Sequence, residues 1–256
     1  QQVKRILWSN IPPNLSFGSS SEKDSALTHS EVCSFSAQLF IHFVQVLQQC
    51  LEANFTRALA RRTAEPVKIG LYYESLCPGC RNFITSMLYP TSVLLGDIMD
   101  LTLVPYGNAQ ETFDGEKYIF KCQHGEGECM GNMIEACLLN LTDSNAFLTI
   151  FCMESSGDPV KACVELFLPN LSWKQLMTCV NGDSGNQIMH QTALKTQALK
   201  PPHDYVPWIT INGDHTEELQ DKAFSALVPL VCDLYKGEKP AICGGSGRHF
   251  KSYCQK

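Results

Sequence analysis

A chain of 256 residues, 44% of them hydrophobic, is long enough to bury a full core, as one elaborated domain or as two small ones. Its formal net charge of -6, with no basic run and no interleaving of aromatic and basic residues, excludes nucleic acid as the expected partner. The longest apolar-leaning stretches, residues 35–47 and 223–235, are too short for a bilayer and are interrupted by Gln38, His42 and Gln45 or by Pro229, so no membrane span is expected.

Thirteen cysteines point to an oxidising, secretory setting rather than to reduced cytosol. N-x-S/T sequons at Asn14, Asn54, Asn140 and Asn170 point the same way and mark candidate glycosylation sites. The chain opens on Gln1-Gln2 with no charged or apolar leader, so the expectation is that a signal peptide has been removed. Because the cysteine count is odd, one working pair and a set of bridges leave an orphan, either a free thiol or the link of a disulfide-bonded homodimer.

In chain order, residues 1–24 lack periodicity and read as a leader. Val32, Phe35, Leu39, Phe43, Val46 and Cys50 then recur at helical spacing. Cys33 and Cys50 would stand about 25 Å apart in one straight helix, so they pair with each other only if the segment folds into a hairpin. Arg61-Arg62 is either a processing site, which would make residues 1–62 a pro-segment, or a basic helix C-terminus.

Residues 63–111 carry the first part of the expected core. Val67, Ile69, Leu71, Tyr72 and Tyr73 suit a buried strand, which turns into Cys77-Pro78-Gly79-Cys80. Phe83, Ile84, Met87, Leu88, Val93 and Leu94 follow at helical spacing, with Pro90 expected to end or kink the helix. A second strand over residues 100–104 completes a right-handed parallel β-α-β unit.

Residues 112–200 read as a helical insertion laced by Cys122, Cys129, Cys137, Cys152, Cys163 and Cys179, with helices near residues 130–141, 146–153 and 173–180. Residues 201–236 return to the core through a Val206–Ile211 strand, an Asn212-Gly213 hairpin with a weaker strand around His215, and a helix from Leu219 to Tyr235. Residues 237–256 read as a loose tail holding Cys243 and Cys254, the latter the expected orphan.

The chemistry centres on the C-x-x-C. A cysteine at a helix start has its thiolate stabilised by unpaired N–H groups and the helix dipole, so Cys77 is the expected nucleophile. Cys80, one turn deeper, is placed to attack a mixed disulfide on Cys77 and release the other half as a thiol. A C-x-x-C alone also serves as half of a zinc site or as a structural clip, and its place between strand and helix favours redox use.

This order of elements resembles the thioredoxin-like fold: an α/β core of β-α-β followed by a β-hairpin and a helix, here with a disulfide-rich helical insertion. The resemblance implies that the Val206-Pro207 bond is cis and that its loop faces the redox pair and binds substrate backbone. A narrower match is the run Cys122, Gln123, His124, Gly125, Glu128, Cys129, Asn132 and Cys137, which fits C-Q-H-G-x2-E-C-x2-N-x4-C and is the signature of the gamma-interferon-inducible lysosomal thiol reductase family. Residues 105–110 and 201–208 also look like that family. It implies a lysosomal or endosomal glycoprotein, secreted as a precursor, that reduces disulfides of protein substrates at acidic pH and assists antigen unfolding for presentation.

No bound cofactor is expected, only a small thiol, cysteine or glutathione, as reductant. Cys122, His124 and Cys129 have zinc-like spacing, but a structural bridge is the expectation in a disulfide-forming compartment, with His124 hydrogen-bonded or on the surface. The competing functions are an oxidase or isomerase using the same pair, a zinc-stabilised binding module, and a secreted interaction protein whose cysteines are all structural.

Overall fold

A computed structural model describes residues 63–142, 146–156 and 160–244. The expectations placed on residues 1–62 (the leader, the helical stripe, Cys33, Cys50, Asn14, Asn54 and Arg61-Arg62), and that placed on Cys254, lie outside the described residues.

Strand β1 (Val67–Tyr73) buries Val67, Ile69, Leu71 and Tyr73 on alternate positions and forms the middle of a three-stranded sheet. On one side β2 (Met99–Pro105) pairs with it in parallel, and on the other β5 (Trp208–Ile211) pairs antiparallel. The crossover between β1 and β2 runs through α1 (Pro78–Phe83), a π-helical turn (Ile84–Leu88) and α2 (Tyr89–Leu95). Of the two outcomes expected of Pro90, ending the helix is not what the structure shows: the helical run continues past it, with its regular winding broken just before by the π turn. The wide turn before it places Pro90 in the first turn of α2, where a missing N–H costs little.

Beyond β2 the chain makes a small antiparallel hairpin, β3 (Gln110–Phe113) and β4 (Tyr118–Lys121), turned by Asp114, whose Oδ1 accepts the N–H groups of Glu116 and Lys117, each at 2.9 Å. Five helices follow: α3 (Glu126–Thr142), α4 (Ala146–Ser156), α5 (Val160–Phe167), α6 (Trp173–Asn181) and α7 (Asp183–Gln197). Three of these were legible in the sequence; β3, β4, α5 and α7 were not. The helices do not form a core of their own. One apolar cluster runs from Ile69 and Leu71 through Phe83 and Leu88 to Leu138, Ile150 and Leu176, and on to Leu227 and Val231 of the last helix, α8 (Glu217–Leu234).

The expected hairpin after Asn212-Gly213 is a correction: it shrinks to a single bridge between Ile211 and Asp214. His215 is buried, stacked on Trp208 with ring centroids 3.4 Å apart, and its Nδ1 lies 2.7 Å from the Ile209 carbonyl oxygen. Thr216 then caps α8, its hydroxyl accepting the Leu219 N–H at 3.2 Å, so the chain enters the helix before a strand can extend.

Among the described residues four disulfides join Cys122 to Cys129, Cys137 to Cys179, Cys152 to Cys163 and Cys232 to Cys243. The last of these corrects the loose-tail expectation as far as Gly244, because it ties Cys243 and a short 3-10 turn (Ala241–Gly244) back to α8. Of these four, the Cys137–Cys179 bridge closes the longest loop, 42 residues, between two buried positions. In the chain-entropy account a loop of that length contributes about 4 kcal/mol. Replacing both cysteines by Ala is accordingly expected to lower unfolding stability by about 2–4 kcal/mol, read from denaturant midpoints at unchanged slope.

Candidate active site

Cys77 is the N-cap of α1. Its extended backbone (φ -70, ψ 119) turns the chain from β1 into the helix, Pro78 occupies the first helical position, and Sγ accepts the Cys80 N–H at 3.4 Å. Among the described residues Cys77 and Cys80 are the cysteines outside a disulfide. They differ in access: Cys77 is 9% exposed and Cys80 is 0% exposed, so any reagent from solvent meets Cys77 first.

The two thiols also differ in acidity. The Cys80 thiol donating to Sγ does most to hold Cys77 down at about 6, helped by the N–H groups of Cys80 and Gly79 and by the charge of His124, against burial. Cys80 is driven far up, first by burial and then by its place beside Cys77. Across from α1, the Val206-Pro207 peptide is cis, and Lys200-Pro201 is cis as well. The Val206 carbonyl oxygen lies 3.9 Å from Cys77 Sγ, and Pro207 comes so near Gly79 that a Cβ there would stand 3.4 Å from its ring.

The signature run wraps the segment between β1 and Cys77. Asn132 Oδ1 accepts the Ser75 N–H at 2.9 Å, and the Ser75 hydroxyl donates to the Glu128 carbonyl at 3.2 Å. Gly131 has no room for a side chain, since a Cβ would overlap Ser75. Gln123 Oε1 accepts the Asn108 side-chain N–H at 2.8 Å, and Gly125 makes the turn at φ 85. Cys122–Cys129 closes that turn, and Cys137 anchors the far end of the same helix.

Inside the wrap lies a charged group. Glu128 accepts the His124 N–H at 3.0 Å and its Oε2 is 2.5 Å from His124 Nδ1, which is also 3.6 Å from Glu74 Oε2. Glu74 and Glu128 are fully buried. Burial pushes Glu74 up to about 7, against the Asn108 N–H it accepts at 2.6 Å, and His124 is raised chiefly by its hydrogen bond to Glu128. The Cys122–Cys129 disulfide removes both sulfurs from the zinc set considered on spacing, and the short contact to Glu128 occupies His124. The two carboxyl groups and the imidazole lie within 4.8 Å of one another, with a direct hydrogen bond between His124 and Glu128 and Glu74 in ion-pair range.

A second buried cluster, which the sequence reading missed, packs on the other side. Tyr73 donates to Glu135 Oε2 at 2.5 Å, and Arg81 Nε donates to the Glu154 carbonyl at 3.1 Å and lies 3.7 Å from its carboxylate. Burial raises both Glu135 and Glu154, which hydrogen-bond to each other, so the pair keeps a proton at neutral pH. The signal was present: Glu135 falls beside Ile134, Cys137 and Leu138 on the apolar face of α3. Asn140 and Asn170 are both exposed.

A C-x-x-C at the mouth of a parallel crossover helix, faced by a cis proline that opens an antiparallel strand, defines a thioredoxin-like protein. The family model described as "Gamma interferon inducible lysosomal thiol reductase (GILT)" matches residues 68–167. The gamma-interferon-inducible lysosomal thiol reductase of Carassius auratus is 57% identical over 213 residues, covering 82% of this chain and 81% of that protein. The protein of that name from Mus musculus is 46% identical over 196 residues, covering 75% and 77%. The gamma-interferon-responsive lysosomal thiol protein of Arabidopsis thaliana is 38% identical over 206 residues, covering 78% and 84%. The chain belongs to the gamma-interferon-inducible lysosomal thiol reductase family, and it is a thiol–disulfide reductase.

Proposed function

We propose that Cys77 and Cys80 are the working pair and that the protein reduces disulfides of protein substrates in acidic endosomes or lysosomes, helping endocytosed antigens to unfold. The observation that carries this reading is the asymmetry of the pair: an acidic, reachable sulfur at the N-cap and a fully buried thiol one turn behind it. The lysosomal setting is supported by the names of the relatives.

In the first step the Cys77 thiolate attacks one sulfur of the substrate disulfide; a Cys77–substrate disulfide forms, and the other substrate sulfur leaves and takes a proton. The negative charge on Cys77 is thereby consumed. With it goes one of the causes that hold Cys80 protonated, so Cys80 can give up its proton, attack Cys77 Sγ and release the second substrate thiol. Two equivalents of a small thiol, cysteine or glutathione, then reduce the Cys77–Cys80 disulfide and leave as their own disulfide. Val206 and Pro207 bind the substrate backbone beside the reacting sulfur. Asn140 and Asn170 serve as glycosylation sites.

Acidic operation requires the low thiol pKa. At a pH of about 5 a thiol near 6 is about one-tenth thiolate, against about one part in 3,000 for an ordinary cysteine near 8.5. A protein-disulfide reduction assay with excess cysteine as reductant is expected to show turnover at pH about 5 as well as at pH about 7. Turnover at neutral pH alone would overturn the acidic assignment.

A further inference from the structure

The group beside the pair, two buried carboxyls under the exposed imidazole of His124, is more than packing for the signature turn. Glu74 directly follows β1, and its main-chain oxygen accepts the Cys77 N–H at 3.3 Å. Its side chain is fully enclosed: Oε1 takes the Asn108 N–H, and Oε2 has no hydrogen-bond partner and faces His124 Nδ1. The same nitrogen serves Glu128. Two buried carboxyl groups thus address one imidazole nitrogen, and a single proton there cannot satisfy both.

We propose that Glu74, His124 and Glu128 form a charge-setting group that keeps Cys77 reactive in acid and withdraws that help as the solution is neutralised. The inference rests on the reading of Cys77 as the nucleophile. Counting protons gives the direction. With His124 protonated and one carboxyl neutral the group carries no net charge; loss of the carboxyl proton makes it -1, and loss of the imidazolium proton makes it -2. Each step adds negative charge next to a sulfur that must itself become negative.

Other groups facing Cys77 do not supply this behaviour. Cys80 stays protonated behind it, Glu154 of α4 shares a proton with Glu135, and Arg81 of α1 is paired to Glu154. His124 and Glu74 are the neighbours whose charges act on Cys77 with opposite sign, the imidazolium favouring the thiolate and the carboxylate opposing it. They are positioning residues in this scheme, since neither exchanges a bond with the substrate.

The test is the rate of Cys77 alkylation by iodoacetamide in the full, mildly reduced chain between about pH 4 and 8.5, with the modified residue read by peptide mass spectrometry. Because the rate below the thiol midpoint follows the thiolate fraction, a midpoint raised by about half to one unit is a loss of about 3–10-fold at pH 5. His124→Gln is expected to show that loss at pH 5 and none at pH 8.5, and His124→Lys, which restores a cation, to return the pH 5 rate to within about twofold of wild type. Coincident His124→Gln and wild-type profiles, or a His124→Lys protein as slow as His124→Gln, would overturn the inference.

If the His124 variants do not fold, Glu74→Gln decides by sign. Its alkylation rate should match wild type at pH 5, where the native carboxyl is already neutral, and exceed it between about pH 6 and 7, where that carboxyl ionises; a rate at or below wild type across that range counts against the group. Wild-type Cys77 that resists alkylation at every pH would instead overturn the assignment of the nucleophile itself.

Discussion

Cys80→Ser is expected to turn the reductase into a single-shot reagent. The Cys77 thiolate still attacks the substrate disulfide, but the mixed disulfide now has no internal sulfur to resolve it, so about one substrate half remains on each chain. The internal thiol in the native protein sits at the N-cap sulfur already, with the Cys80 N–H 3.4 Å from Sγ. Groups held in that way reach effective concentrations that millimolar external thiol cannot match, so steady-state turnover should fall by about a hundredfold or more. What remains should rise in proportion to external thiol. Cys77→Ser should form no adduct and lose turnover by about a thousandfold or more. Rates under excess thiol and the intact mass of each variant after substrate exposure check both.

The second large effect is on stability. Burial raises the carboxyl groups of Glu74, Glu135 and Glu154, so the folded protein holds protons there that the unfolded chain, with glutamates near 4.3, has already released. A raised folded-state pKa contributes stability that is present below the unfolded value and is lost as pH climbs through the folded value. His124, raised by Glu128, acts in the same direction, while His203, lowered by burial, and the Cys77 thiol, held at about 6, oppose it. Between about pH 5 and 8 the net loss should be a few kcal/mol, a fall in Tm of about 5–15 °C for a domain of this size. Glu154→Gln keeps a neutral group in place and should flatten the curve. Calorimetry across that range checks it; a Tm that is level or rises toward pH 8 contradicts the buried-proton account. The same protons make an acidic compartment the favourable place for this fold.

The parts of the molecule that local pattern encodes were legible. Alternating apolar residues from Val67 to Tyr73 gave the central strand, the C-x-x-C gave the helix mouth, and the resemblance placed Val206-Pro207 opposite it. What stayed hidden depends on distant packing. The Asn212-Gly213 signal was overridden because His215 found a partner in Trp208 and Thr216 a role as helix cap. The β3–β4 hairpin escaped because its strands are only four residues each and partly exposed, too short to show a buried alternation. The role of the signature escaped for a related reason: Asn132, Gly131 and Glu128 act on Ser75 and Glu74 more than fifty residues earlier, a contact that spacing within the motif does not reveal. Glu135, on the apolar face of α3, was a buried acid that a reading of charge against helical periodicity could have flagged.

The most direct measurement is to expose reduced Cys80→Ser protein to one equivalent of a disulfide-bonded substrate at pH about 5 and map the adduct by peptide mass spectrometry. A substrate half bound through Cys77 at close to one per chain is the predicted result. An unmodified chain, or an adduct on any other cysteine, would contradict the claim that the N-cap sulfur does the chemistry.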